Sequence, residues 1–241
     1  MEVSPVNRRF ASVAIVLSVV LFIGLEAAAM LLYPGGTWWD PSSHGSSISQ
    51  NYLCDFEHRE AIDGAANPIG SRLAEAAMFT LVLGLMPFWI ATPSLMGRGK
   101  AGPVVRTLGL VSLLGVVAVI LLPSDRFGRP HGVAVILAGG PGLVAVALAV
   151  RALFRCDRRP RIAAWLGAAT LAVAAVDFIG FAMHLIAGGL GTPLLPAFQK
   201  AALTLLLAWM VAVAMRVAGG STVSRVHSGA NPRRRSPHAR P

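Results

Sequence analysis

An all-α bundle of six transmembrane helices, with both termini on the cytoplasmic face, is predicted by three observations. The chain of 241 residues is 55% hydrophobic and only 13% charged, a balance that suits lipid as the solvent. Six apolar runs each reach the length of about 20 residues that a helix needs to cross a hydrocarbon core. The lysines and arginines gather on alternate connections, as basic loops held on the cytoplasmic side do.

The first run, from Phe10 to Leu32, follows Arg8 and Arg9. A basic pair ahead of an apolar stretch also opens a secretory signal peptide, here with Ala27-Ala28-Ala29 as its cleavage site. The stretch is longer than a usual signal-peptide core, so it is expected to remain as an anchor behind a cytoplasmic N-terminus, residues 1–9. The outer connection 33–70 is the longest in the chain. It opens YPGGTWWD, with Trp38 and Trp39 suited to the headgroup region, and continues ISQNYLCDFEHREAIDGAANPIGSR. Ile48, Tyr52, Leu53 and Phe56 argue that it packs on the bundle, as a lid would. Asp55, Glu57, His58 and Glu60 have metal-ligand chemistry, but their spacing matches no specific site.

The remaining runs are Leu73 to Ala91, Val104 to Leu122, Gly132 to Val150, Ile162 to Ile186 and Ala197 to Val217. The breaks PSLMGRGKAGP (93–103), PSDRFGRP (123–130) and GGLGTPLLP (188–196) are turn chemistry inside one domain, 10–217. The fourth run contains Ala138-Gly139-Gly140-Pro141-Gly142. Proline there removes a backbone hydrogen bond, which predicts a kink or an unwound turn, and the glycines let a neighbouring helix approach closely. Residues 218–241, GGSTVSRVHSGANPRRRSPHARP after Ala218, have almost nothing apolar to bury and read as a disordered basic cytoplasmic tail.

With the N-terminus inside, Arg8, Arg9, Arg98, Lys100, Arg106, Arg151, Arg155, Arg158, Arg159, Arg161, Arg216, Arg225, Arg233, Arg234, Arg235 and Arg240 all fall inside, 16 of the 21 basic residues. Arg59, Arg72, Arg126, Arg129 and Lys200 fall outside. The net charge of +10 lies in short clusters with no basic groove interleaved with aromatics, which argues against a nucleic-acid partner. Cys54 and Cys156 fall on opposite sides and cannot pair.

Ionisable groups are expensive inside a bilayer, so each needs a partner or a role. Apart from the cytoplasmic anchors they sit in the outer half. Glu26 is near the outer end of the first span, and Ser71, Arg72 and Glu75 open the second. Asp125, Arg126, Arg129 and His131 crowd the turn between the third and fourth. His184 and the deeper Asp177 share one face of the fifth, and Gln199 and Lys200 open the sixth. This one-sidedness predicts an outward-facing polar cavity, with Glu75, Asp125, His131, Asp177, His184 and Lys200 as ligand-cavity candidates. Lys200 is the natural counter-ion for Asp177, Glu75 or Glu26. Each residue taken singly also fits a structural ion pair that fixes helix register.

The stretches YPGGTWWD, ISQNYLCD, NPIG, LLPSDRFGRPHG and PAFQKAALTLLLAW together resemble the bacterial six-helix membrane proteins called domain-of-unknown-function family 998, over most of residues 10–217. That family is similar to the DRAM and Frag-type membrane proteins. The resemblance maps its outer proline, acid and histidine onto Pro123, Asp125 and His131, and its polar pair onto Gln199 and Lys200. It implies a cell-membrane protein with a direction toward lipid handling and no established activity. A second comparison is with ceramidase-like membrane hydrolases, which use a serine, an aspartate and three zinc-binding histidines. Ser71, Asp125 or Asp177, His131 and His184 offer some of these groups, but the last span has no HxxxH pair.

The leading expectation is a non-enzymatic protein that binds or senses a lipid or other amphiphile. A metal-dependent lipid hydrolase is the alternative, and a small transporter is the second, although no internal repeat relates residues 10–91 to 132–217. The residues commit to no metal site, leave the cofactor undefined, and leave a homo-oligomer open. Membrane lipids are the expected partners.

Overall fold

The computed structural model describes residues 5–97, 99–156, 161–188 and 192–227. Seven α-helices account for most of them: α1 (Pro5–Leu32), α2 (Pro68–Ala91), α3 (Ala101–Leu121), the single-turn α4 (Ser124–Phe127), α5 (Arg129–Arg155), α6 (Arg161–Ala187) and α7 (Leu195–His227). Among the described residues, six of these are long and apolar enough to cross a membrane, and the chain is built as a multi-pass membrane protein. Their outer faces carry Phe10, Leu31, Leu114, Trp165 and Ile186, all well exposed. In water such surface would drive aggregation; in hydrocarbon it costs nothing.

Every predicted span lies within a helix except that Leu122 of the third stands one residue past the end of α3, and the helices start earlier than the apolar runs do. α2 begins at Pro68, five residues before Leu73, because proline is tolerated at the first helical position while Ser71 and Arg72 break the apolar run. The turn 123–130 contains the short helix α4, held by Phe127 N–H donating to Pro123 O (3.0 Å). α7 continues to His227, into the segment expected to be disordered; the rest of that segment, 228–241, lies outside the described residues, as do Arg98, Arg158 and Arg159.

The long helices form a closed ring in the order α1, α2, α3, α5, α6, α7, with α7 returning to α1. Ser12 Oγ donates to Ala214 O (2.8 Å), so the beginning of α1 and the later part of α7 lie side by side. At that end the core is aromatic. Phe88 meets Trp89 and Trp209 edge-on, with centroids 4.8 and 5.0 Å apart, the geometry that ring quadrupoles favour. Ile15, Val105, Leu153, Met210 and Val213 fill in around them.

Small residues set the helix spacing. A Cβ on Gly109 would overlap the Trp89 ring, and one on Gly115 would overlap the backbone of Ala138. Gly139 lies against Phe178, and Ser112 Oγ donates to Ala138 O (2.5 Å). α5 nevertheless runs as one helix through Ala138–Gly142 with Pro141 inside it. The unwound turn expected there is absent, and the motif serves as a contact surface for α3 and α6. Pro141 removes the helical donor to Leu137 O, and the carbonyl that Ser112 reaches is the next one along, Ala138 O.

The connection from Tyr33 to Asn67 folds into a compact cap over the other end. Gly35 bridges His44 and Glu60 bridges Ala66 in isolated antiparallel pairs, and Leu53–Glu57 forms a short 3-10 turn. Gly36 has φ +84°, and a Cβ there would collide with the backbone of Ile62 and Asp63, so this crossing needs glycine. Beneath the cap Phe56 packs edge-on to Tyr33 (5.1 Å) beside Ala29, Ala61 and Ala74. Asn67 Nδ2 donates to the carbonyls of Phe56 (3.1 Å) and His58 (3.0 Å), which ties the cap to the first turn of α2.

Candidate functional site: a capped cavity at the loop end

Asp55 is the hub of the cap. It is 1% exposed and accepts from Trp38 Nε1 (3.1 Å), the Tyr52 backbone N–H (2.8 Å) and Asn51 Nδ2 (3.3 Å). Burial raises its pKa, and the Trp38, His58, Tyr52 and Asn51 interactions oppose the rise. Asn51 also donates to Gly36 O (2.9 Å), so one buried pair organises both halves of the loop. Two residues at the start of α7 then hold the cap to the bundle. Gln199 Oε1 accepts from Leu53 N–H (2.9 Å), and Lys200 Nζ donates to Asn51 O while lying 5.8 Å from the Phe56 ring centroid. On the opposite side His58 Nε2 meets Ser124 Oγ at 2.6 Å, joining cap to α4.

Between cap and helices lies a cavity of about 430 Å³, within the range of small-molecule sites. The cap contributes Trp38, Tyr52, Cys54, Asp55 and Glu57 to its wall, and Ser124 and Arg129 stand at α4 and the start of α5. The helices contribute an apolar side from Met78, Val119, Val135, Phe181 and Leu185. His131 and His184 also line it. His131 Nδ1 is 2.8 Å from Leu122 O; a carbonyl only accepts, so Nδ1 carries the proton and Nε2 is the acceptor.

Three polar atoms on this wall are buried without a hydrogen-bond partner among the described residues: Tyr52 Oη, Glu57 Oε2 and His184 Nδ1. Unmet buried polar groups are costly and rare, and three on one cavity mark it as a place where partners are to be supplied.

Comparison of the chain with family models, curated proteins and solved structures finds no match.

The six candidates predicted from sequence divide by position. His131 and His184 line the cavity. Glu75 and Asp125 are not on its wall, but their charges act on Glu57; Asp125 also lies 4.0 Å from Arg126. Asp177 is half-buried on α6 and acts through space on Tyr52 without reaching the wall. Lys200 fastens the cap, and the carboxylates its charge acts on are Asp55 and Glu26; of the three counter-ions expected for it, only Glu26 is among them. Tyr52, Cys54, Asp55 and Glu57 carry the polar wall, and their signal in the sequence was a run of polar and aromatic residues within one long loop. Among the described residues, no three His, Cys, Asp or Glu side chains converge as a metal requires.

The electrostatics of the wall restrict its chemistry. Burial, reinforced by Asp55 and Glu57, pushes the Cys54 thiol well above its ordinary pKa, so Cys54 stays a thiol and is no nucleophile at neutral pH. Burial and the neighbouring Glu26, Glu75 and Asp125 raise Glu57 from 4.5 to about 8. A carboxyl whose folded pKa lies above its unfolded value binds more protons when folded, so stability is full below about 4.5 and is lost as pH rises through about 8. Thermal unfolding in detergent is therefore expected to shift downward across that interval, and Glu57→Gln should flatten the slope. An unchanged slope in Glu57→Gln would show that Glu57 is not its source.

Proposed function

We propose that this chain is a bacterial cell-membrane protein, with both termini cytoplasmic, that binds or senses an amphiphile in a cavity on its outer face. The single observation that carries this reading is the two-sided wall. One side is built from apolar helix residues, the other from buried polar cap residues with unmet hydrogen-bonding atoms, as a molecule with a chain and a head requires. The basic residues at the opposite end support the orientation, and the resemblance to domain-of-unknown-function family 998 agrees with a role toward membrane lipid. The metal-dependent alternative has no ligand set to draw on among the described residues.

Trp38 on the wall supplies the test, because a bromoalkyl probe quenches indole emission at contact. For the full chain in phosphatidylcholine nanodiscs, bromo-octanol is expected to give saturable quenching, and Val135→Phe, which fills the apolar side, should abolish the saturable part. Quenching that never saturates, or that is equal in Val135→Phe, would sink the reading.

A further inference from the structure

Among the described residues, the charges that act on Glu57 include no cation. Glu57 is 3% exposed, stands on the cavity wall, and its Oε2 meets no donor. The charges that act on it come from three elements and are all acidic: Glu26 on α1, Glu75 on α2 and Asp125 on α4. Lys200 is committed elsewhere, since its Nζ donates to Asn51 O and its charge acts on Asp55 and Glu26. Arg129, the cation on the cavity wall, is exposed at the rim.

From this geometry we infer that the occupant's head is an ammonium group seated on Glu57, an inference that rests on the amphiphile reading above. An ammonium brings three N–H donors and no acceptor. Glu57 Oε2, Tyr52 Oη and, in its Nε2–H tautomer, His184 Nδ1 are three unsatisfied acceptors on one wall. Trp38, Tyr52 and Phe181 add aromatic surface that favours a cation. At the alkaline pH where Glu57 is ionised, a carboxylate head would instead meet like charge in a desolvated space. Met78, Val119, Val135 and Leu185 receive the chain.

Three probes that differ only in the head decide the matter: bromo-octylamine, bromo-octanol and bromo-octanoate, titrated against the full chain in phosphatidylcholine nanodiscs at mildly alkaline pH, with methylamine as a chain-free competitor. The amine is expected to bind at least about tenfold more tightly than the alcohol, with the carboxylate weakest. Glu57→Gln should bring the amine to the alcohol's affinity, with an unchanged far-ultraviolet circular-dichroism spectrum showing that the variant is folded. The ranking on the unmodified chain needs no variant at all. Equal binding of the three heads overturns the ammonium assignment and leaves the amphiphile reading standing. Saturation by none of them removes both. Competition by methylamine at the affinity of bromo-octylamine keeps the ammonium and removes the chain, making the source a soluble amine.

Discussion

Asp55→Ala is expected to release the cap and to destabilise the protein by about 3 kcal/mol or more. Truncation leaves three donors without their acceptor: the Trp38 indole, the Tyr52 backbone N–H and one bond of Asn51. Each buried group left unpaired costs about 1–3 kcal/mol, and Lys200 loses one of the carboxylates on which its charge acts. Asp55→Asn keeps one oxygen acceptor and should recover part of the loss. Hydrogen exchange of the amides in 33–67 is the direct measurement, with fast exchange in the alanine variant. Protection equal to that of the unmodified chain would mean that Asp55 does not organise the cap.

Gly115→Val carries the second large effect. A Cβ at 115 would lie 2.6 Å from Ala138 Cα and closer still to its amide nitrogen. Both are backbone, so no rotamer change relieves the overlap, and α3 and α5 must separate. Overpacking of this kind costs about 1–3 kcal/mol and more where backbone has to move. Separation also breaks the bond from Ser112 to Ala138 O. Gly24→Val is the matched control, because nothing lies within 4 Å of a Cβ there. Unfolding in mixed micelles should fall sharply for the first and stay near the unmodified value for the second. Equal behaviour would remove the close approach as a determinant of the fold.

The helices were legible because membrane length is an absolute constraint: a run such as Val104 to Leu122 has one way to satisfy its backbone in hydrocarbon. The ends of the helices were less legible. Pro68 to Arg72 is helical in spite of its polarity, and hydropathy is blind to a first turn built from Pro, Ser and Arg. Ala138–Gly142 was readable as a special site, with close packing favoured over a break that lines a binding site, but the surface it packs on was not readable. That surface depends on Gly115 and Ser112, which lie on another helix.

The candidate site was half legible. An ionisable residue in an apolar run stands out, so His131 and His184 were visible against their neighbours. Asp55 and Glu57 had no such background, because charge is ordinary in a loop. Only the fold makes them extraordinary, by burying Asn51, Tyr52 and residues 55–58 in the middle of a 35-residue connection as tightly as a core. The pairing of Lys200 with Asn51 was beyond sequence for a related reason, since the acceptor is a backbone carbonyl that any residue possesses.

The fastening of the cap by Gln199 and Lys200 also fixes an order of events during synthesis. Leu53 and Asn51 are made 146 and 149 residues before their partners. Until the last helix has left the ribosome and entered the bilayer, the amide of Leu53 and the carbonyl of Asn51 lack their final partners. The cap therefore closes last: a chain without α7 has neither Gln199 to accept from Leu53 nor Lys200 to donate to Asn51, and only the finished chain joins its first loop to its last helix.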